Sequence, residues 1–598
     1  MKELIQLSKK ALYLLPLRDR KRVIQIAPIL IALSILDLLG VILLGTVATL
    51  TFNLVSNDAR PTRLEIVLQG FLPNSTSKMT LILILSIIAI LLLTSKTVIQ
   101  AYFGYRFAIF QARLECDVSS KLYDSLLDEN VSTINQFKYT DYHYALSLGA
   151  NRYVTGILGS SVMLISDLFT TVLMMGFAFY ASPQSAMIII VVFLAAYLLF
   201  NGPINSRAKA YGQLSYSSHL SLSESLLESL GGIREIKSYG REEMYKKDFR
   251  SEKAISSLIN QKIVWLNGLV RYFLEISILT AGGLVALGLF VTTDLRRAIT
   301  VTAVFIIIGF RIVPNIQRLQ NSLNSLRIAK EATKTLFIFL DKFKTEQKFE
   351  RLNEEIQTPT INLIELKNVS FGVESAPRIL NDVSFRLKGK NTLAIIGNSG
   401  SGKSTLIDLI AGLIEPTRGS VKFSTFPEGI EWSNGRIPIS YITQKCALFG
   451  QDLYQNISLS RETSPLEKEK IDEIVKDLNL HGFLRIHEGD LREIRTDSTN
   501  ISGGERQRIS IARAKYFDTD IVILDEPTSA LDSENESRVL GYLRDIWHKK
   551  TVLVVTHSRE VLKVADYVVY LNEGEMLFFG SVSDFGEWET TKKPGTTL

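Results

Sequence analysis

Gly397-Asn398-Ser399-Gly400-Ser401-Gly402-Lys403-Ser404-Thr405 fits the phosphate-binding pattern of a glycine, four residues, then Gly-Lys-Ser. Its flanks matter as much as the match. The short apolar run Thr392-Leu393-Ala394-Ile395-Ile396 reads as a buried strand, and Thr405-Leu406-Ile407-Asp408-Leu409-Ile410-Ala411 reads as a helix. Glycines let consecutive backbone N–H groups turn inward, at a helix N-terminus whose partial positive charge favours an anion. In this arrangement Lys403 reaches the β- and γ-phosphates and Ser404 offers its hydroxyl to Mg²⁺. An ordinary glycine-rich turn would not set strand, loop and helix in this order. The stretch implies binding of a nucleoside triphosphate with Mg²⁺.

Further parts of an ATPase follow in order. Ile521-Val522-Ile523-Leu524 is a buried strand running into Asp525 and Glu526. Asp525 is expected to hold Mg²⁺ through water and Glu526 to position the attacking water. Thr551-Val552-Leu553-Val554-Val555 is a second buried strand, ending at Thr556-His557. There His557 can touch the γ-phosphate or be merely structural.

The first half of the chain has a different composition. At 598 residues the chain exceeds a single core, and its long apolar runs precede residue 340. Spans are expected at Val23–Phe52, Met79–Phe107, Tyr153–Ala181, Ala186–Asn201, Ile263–Val291 and Ala298–Pro314, each near or above the ~20 residues that cross a bilayer. Basic residues before the first span place the N-terminus in the cytoplasm. Residues 1–22 read as a basic interfacial helix, the alternative being a solvated terminus. No cleaved signal peptide is expected. Arg63–Leu72, in the first external hairpin, reads as a short amphipathic helix. Polar stretches at about 111–150 and 204–260 keep helical apolar spacing, which suits membrane helices continuing into the cytosol to meet the nucleotide domain. The expected organisation is an α-helical transmembrane domain over 23–345, a polar linker at 346–360 and an α/β P-loop nucleotide-binding domain over 361–598. The net charge of +6 is modest for this length and points away from nucleic acid. The two cysteines, Cys116 and Cys446, give neither a disulfide framework nor a metal spacing.

Ile501-Ser502-Gly503-Gly504-Glu505-Arg506-Gln507-Arg508 gives a specific resemblance: it is similar to the signature loop of the ABC (ATP-binding cassette) family. The family pattern is Leu-Ser-Gly-Gly-Gln, so Ile501 and Glu505 depart from it while Ser502, Gly503 and Gly504 are kept. By this resemblance Gln444 senses Mg²⁺ and the membrane domain, Ser529-Ala530-Leu531-Asp532 crosses a dimer interface, and His557 is the switch histidine. Glu526, His557 and Gln444 are thus the catalytic candidates. The negative charge of Glu505 is expected to slow turnover or weaken nucleotide affinity. The family's adenine-stacking aromatic is missing: Val369-Ser370-Phe371 is followed by Gly372 and Val373. In this family ATP lies between one subunit's phosphate loop and the other's signature loop, so the chain is expected to pair, with itself or with a related half-transporter.

Ionisable residues within spans mark pathways, partners or structural pairs. They include Asp37, Lys96, Asp167, Arg271, Glu275 and Arg311. Arg271 and Glu275 are spaced i, i+4, so an intrahelical pair is the alternative to a cavity role. Asp37, Arg271-Tyr272-Phe273-Leu274-Glu275, Arg311-Ile312-Val313-Pro314, the external amphipathic helix and Gly232-Ile233-Arg234-Glu235-Ile236-Lys237 resemble the bacterial lipid-linked oligosaccharide flippases of the same family. That resemblance implies an ATP-driven exporter of an amphiphile in the inner membrane, with Asp37, Arg271, Glu275 and Arg311 around the substrate. The alternatives are an exporter of peptides or drug-like compounds and an ATP-gated channel or assembly.

Overall fold

The computed structural model describes residues 2–55, 78–181, 183–292, 295–343, 361–372, 378–425, 431–432, 438–444, 446–449, 452–480, 501–526, 549–556, 562–563 and 565–592. Two compact units emerge. One comprises Met1–Leu127 and Phe137–Thr345, the other Asp128–Gln136 and Glu346–Leu598. The linker expected at 346–360 and the external helix expected at 63–72 lie outside the described residues.

The first unit is helical. Its long elements are α1 (Lys2–Leu14), α2 (Leu17–Val55) and α3 (Lys78–Asp128). The short helices α4 (Val131–Ile134, assigned to the second unit) and α5 (Tyr139–Tyr144) follow, and then two π-helical stretches, Ala145–Gly149 and Arg152–Gly159. Next are α6 (Ser160–Ala181), α7 (Pro183–Gly231), α8 (Ile233–Ser238), α9 (Glu242–Thr292), α10 (Leu295–Ala332) and α11 (Lys334–Lys342). Among the described residues four segments are long and apolar enough to cross a membrane: Leu17–Thr51, Met79–Asp128, Arg152–Tyr180 and Glu242–Gly288. The fourth and sixth expected spans fall within α7 and α10, where many side chains lie outside the described residues. The uninterrupted lengths of α3, α7 and α9 follow from their composition. Each begins or ends as a hydrophobic rod and continues as a polar one with no helix-stopping residue between, since the interior Pro203 of α7 removes a single donor.

Polar ties fix this helical unit. The α1 helix is pinned to it by ion pairs Lys10–Asp341 and Lys330–Glu3, each 2.7 Å. The Tyr153 hydroxyl, buried, donates to the Ala11 carbonyl at 2.7 Å. Between α2 and α3 the Lys96 ammonium lies 3.2 Å from Asp37, with side chains only 13% and 7% exposed. A charge in so dry a place is tolerated only beside its opposite.

The second unit is α/β. Its strands are β1 (Ile361–Phe371), β2 (Leu380–Lys388), β3 (Thr392–Gly397), β4 (Arg418–Thr425), β5 (Glu431–Trp432), β6 (Ile439–Ile442), β7 (Ile521–Asp525), β8 (Thr551–Val555), β9 (Tyr567–Asn572) and β10 (Glu575–Ser581). An antiparallel sheet has the order β2-β1-β4-β5, and a larger one the order β10-β9-β3-β8-β7-β6. In the larger sheet β9, β3, β8, β7 and β6 run parallel, and β10 closes it as an antiparallel edge. Its central strands are buried on both faces, which is why they read as unbroken apolar runs. Ile521, Ile523, Leu553 and Val555 face a core shared with Leu366, Leu393 and Leu406. Their neighbours Val522, Leu524, Val552 and Val554 face the opposite core, with Ile474 and Ile509. Strand periodicity of two produces this division. The helices of this unit include α12 (Lys403–Ile410), α13 (Leu453–Ser458), α14 (Pro465–Asp477), α15 (Gly503–Phe517) and α16 (Val582–Lys592). Residues 128–136, the turn between α3 and α5, belong here. The Val131 N–H donates to Leu413 O at 3.0 Å, and Val131 packs on the core of this unit.

Lys96→Met removes the cation beside Asp37, and breaking a buried pair from one side costs about 3 kcal/mol. The detergent-solubilised variant should melt at lower temperature, and adding Asp37→Leu should restore most of the loss. A single variant as stable as wild type would contradict the pairing.

Candidate functional site

Parallel alignment of β3, β8, β7 and β6 puts their carboxyl ends on one edge of the sheet, the place where α/β folds bind ligands. The phosphate loop leaves β3 there. Asp525 and Glu526 end β7, Gln444 follows β6 by two residues, and Thr556 follows β8.

The loop between β3 and α12 is built from positions where a side chain would not fit. At Gly397 (φ +153°) a Cβ would meet Leu571 O at 2.1 Å. Gly402 (φ +96°) caps α12 in the left-handed region, and a Cβ there would lie 2.7 Å from Leu380 Cδ2. Gly400 is also left-handed, at φ +79°. The Ser401 Oγ is buried without a hydrogen-bond partner, a polar atom directed into the loop. Lys403 is only 8% exposed and folds back, its Nζ donating to Gly397 O and Asn398 O, both at 2.8 Å. Burial pushes the Lys403 pKa down, and the charges of Glu526 and Asp525 pull it back up. A buried ammonium whose hydrogen bonds among the described residues go to two carbonyls fits a phosphate that would bring it full counter-charge. Asn398, Ser399, Ser404 and Thr405 complete the loop and the first turn of α12.

Gln444 and Glu526 meet directly: Gln444 Nε2 donates to Glu526 Oε2 at 2.7 Å. Glu526 has φ +49°, a costly conformation for a side-chain-bearing residue, and its N–H is held by Val555 O at 3.1 Å. The strain turns the acid off the end of β7 towards Gln444. Burial, and then the charge of Glu526, push the Asp525 carboxyl up, while Lys403 opposes them. Two adjacent acids near one lysine suit a divalent cation. Among the described residues no three His, Cys, Asp or Glu side chains form a metal-holding group. Mg²⁺ bound by a hydroxyl, one carboxylate and the oxygens of a nucleotide does not require one. Ser404, Asp525 and the Gln444 amide oxygen have the chemistry for that role.

Asp408, which sequence reading passed over as part of an apolar helix, stands one turn beyond Ser404. Burial pushes its carboxyl up, the Tyr441 hydroxyl at 3.4 Å opposes this, and Asp525 adds to it. The i, i+4 spacing from Ser404 was the available signal.

The signature segment forms the N-terminus of α15. Ser502 caps the helix, and Glu505 Oε2 accepts from Ser502 N (2.8 Å) and Ser502 Oγ (2.9 Å). The Glu505 N–H returns to Ser502 Oγ at 3.3 Å. A reciprocal capping box of this kind favours an acid at its third position, near the positive end of the helix. Gly503 and Gly504 open the first turn, and Ile501 is buried in the core below. Phe371 packs against the inter-sheet core, and Val373 lies outside the described residues. So do Ser529, Asp532 and His557.

In the helical unit, Asp37 sits with Lys96 as above. Arg271 Nε donates to Glu275 at 2.8 Å within α9, and both side chains are exposed. Arg311 lies in α10, its side chain outside the described residues. A cluster that sequence reading did not assemble joins α6 to α10: Arg318 Nε lies 3.0 Å from Asp167 Oδ1. Asp167 was visible in its span, whereas Arg318 lies beyond the expected end of the sixth.

Comparison with known proteins fits both units. A family model described as ABC transporter matches residues 380–529, and one described as ABC transporter transmembrane region matches residues 39–313. The ATP-dependent lipid A-core flippase of Saccharophagus degradans is 34% identical over 36% of this chain and 37% of its own length. A probable ABC transporter ATP-binding/permease protein of Haemophilus influenzae is 35% identical over 39% of this chain. The chain thus spans only 42% of that relative's length. The ATP-dependent lipid A-core flippase of Syntrophus aciditrophicus is 26% identical over 78% of both chains. A solved bacterial Atm1-family ABC exporter with ATP bound shares the fold, with a TM-score of 0.71 at 16% identity, over 96% of this chain and 97% of that one. With a transmembrane region followed by an ATP-binding cassette, the chain belongs to the ABC transporter family, and its fold is that of an ABC exporter.

Proposed function

We propose that two copies of this chain form an ATP-driven exporter that moves an anionic amphiphile, such as a lipid-linked oligosaccharide, across the inner membrane, with the cassettes in the cytoplasm. The observation that carries the reading is the strand-end edge where buried Lys403, the Asp525–Glu526 pair and the Gln444–Glu526 hydrogen bond converge. A site that only bound nucleotide would have no need of a strained acid aimed beside the phosphate loop. The named function of the flippase relatives supports an amphiphilic cargo.

In this mechanism Lys403 exchanges its two carbonyl partners for phosphate oxygens, while the N–H groups of residues 398–404 surround them. Ser404, Asp525 and Gln444 would hold Mg²⁺, which when bound would withdraw charge from the phosphate oxygens. Glu526 orients the attacking water. Gln444, on the same edge, ties the position of that acid to the segment after β6. By the family resemblance His557 is assigned to the γ-phosphate and Ser529 and Asp532 to the interface with the second copy; all three lie outside the described residues. Ser502, Gly503, Gly504 and Glu505 of one copy close on the nucleotide of the other. Each chain carries one phosphate loop and one signature segment, so two copies make two complete sites. Closure of the cassettes then drives the helical unit between conformations.

Reconstitution in liposomes tests the cargo: polyisoprenyl-pyrophosphate lipids should raise ATP hydrolysis several-fold over phosphatidylcholine alone, and indifference to every anionic lipid would refute that assignment. Lys403→Ala and Glu526→Gln should each lower steady-state hydrolysis by at least ~100-fold, as loss of a phosphate or water-positioning group does. If wild type and Glu526→Gln turn over equally slowly, active pumping loses its support. Glu505→Gln keeps an acceptor for the capping box but removes a charge from the nucleotide interface. It should lower the KM for ATP several-fold with Tm unchanged, and an unaltered KM would mean that the capping box already screens the charge.

A further inference from the structure

Asp167 is buried in α6, in the part of the helical unit where Met174 and Ala178 pack with Val41 and Ile312. An isolated carboxylate there would be costly. Arg318 of α10 compensates it, but incompletely: Nε lies 3.0 Å from Asp167 Oδ1, and Nη2 donates to the Oδ1 of Asn315 one turn back. Three features remain unexplained by a plain structural tie. Asp167 Oδ2 and Asn315 Nδ2 are buried with no hydrogen-bond partner. Asn315 itself is only 4% exposed, so this donor is held in place rather than waving in solvent. The Arg318 side chain is 50% exposed, and its Nη1 edge makes no hydrogen bond among the described residues.

A guanidinium held along its Nε side with its outer edge open is arranged for a two-pronged acceptor, and a phosphate oxygen pair matches that fork. Asn315 steadies the guanidinium through its amide oxygen, while its own amide nitrogen is buried without a partner.

We propose that Arg318, with Asn315, binds the phosphate of a lipid head group, and that this ligand competes with Asp167 for the guanidinium. Occupancy loosens the tie between α6 and α10, so binding of the head group and rearrangement of the helical unit become one event. The proposal rests on the reading of the cargo as an anionic amphiphile. It adds to it a residue and a competitor.

Competition makes two variants move in opposite directions, which a structural tie cannot do. Full-length protein in phosphatidylcholine nanodiscs is titrated with a polyisoprenyl pyrophosphate, the matching polyisoprenol and inorganic pyrophosphate. Arg318→Gln should weaken binding of the pyrophosphate lipid about tenfold, the loss of a charge-assisted hydrogen-bond pair, and leave the polyisoprenol unaffected. Asp167→Asn should tighten it several-fold. If Arg318→Gln aggregates, Arg318→Lys carries the test, keeping the charge and losing the fork, with a several-fold loss expected. Weakening by both Asp167→Asn and Arg318→Gln would reduce the pair to a tie and overturn the proposal. Inorganic pyrophosphate binding as tightly as the lipid, with the same dependence on Arg318, would overturn the lipid as ligand. Normal wild-type binding that Arg318→Gln leaves unchanged would overturn this site alone. Failure of wild type to bind the pyrophosphate lipid at all would overturn the cargo reading as well.

Discussion

Parallel pairing of β3, β8, β7 and β6 is the constraint on which the nucleotide site depends. Parallel strands cannot be joined by tight turns, so each returns through a crossover and every chain exit at the active edge is a carboxyl end. Residues 397, 442, 525 and 555 end four strands that sit side by side only because of this order. The chemistry then needs very short reaches: a lysine at the start of α12, one acid ending β7 and a second just after it, and a glutamine two residues past β6. The Glu526 N–H bonded to Val555 O crosses directly from one strand end to the next and holds the strained acid in position.

The helical unit solves a different electrostatic problem. Low-dielectric surroundings make a buried charge unfavourable, and among the described residues Asp37 is paired with Lys96 and Asp167 with Arg318. The pairs differ in an instructive way. Both partners of the first are enclosed, as expected of a permanent tie. In the second the acid is enclosed and the arginine is half open, which leaves the cation able to meet a second acceptor. Arg271 and Glu275 are a third kind, an exposed neighbouring pair on one helix, worth little as a fastening.

Glu505 shows how a departure from a family pattern can be locally consistent. Read along the chain, it is a negative charge near a phosphate. In the fold it closes a capping box on Ser502 at the positive end of α15, where an acid is favourable. The same arrangement recurs at Ser464 and Glu467 of α14, far from the phosphate loop, so the acid fits a general helix start as well as a signature segment.

The phosphate loop, the strand preceding Asp525 and Glu526, and the hydrophobic rods of the first half were legible because each is local. A glycine pattern, an apolar run and a span length are properties of consecutive residues. The partnerships of those residues were not legible. That Gln444 touches Glu526, that Asp167 faces Arg318 and that Asp408 stands behind Asp525 are meetings of residues distant in sequence, set by strand order and helix packing. Sequence by itself determined the chemistry available to this protein, since side-chain type and short-range spacing survive without a fold. Only the tertiary structure decided which groups share a site and which carry an open valence. Both depend on distances in space that burial of the apolar faces imposes.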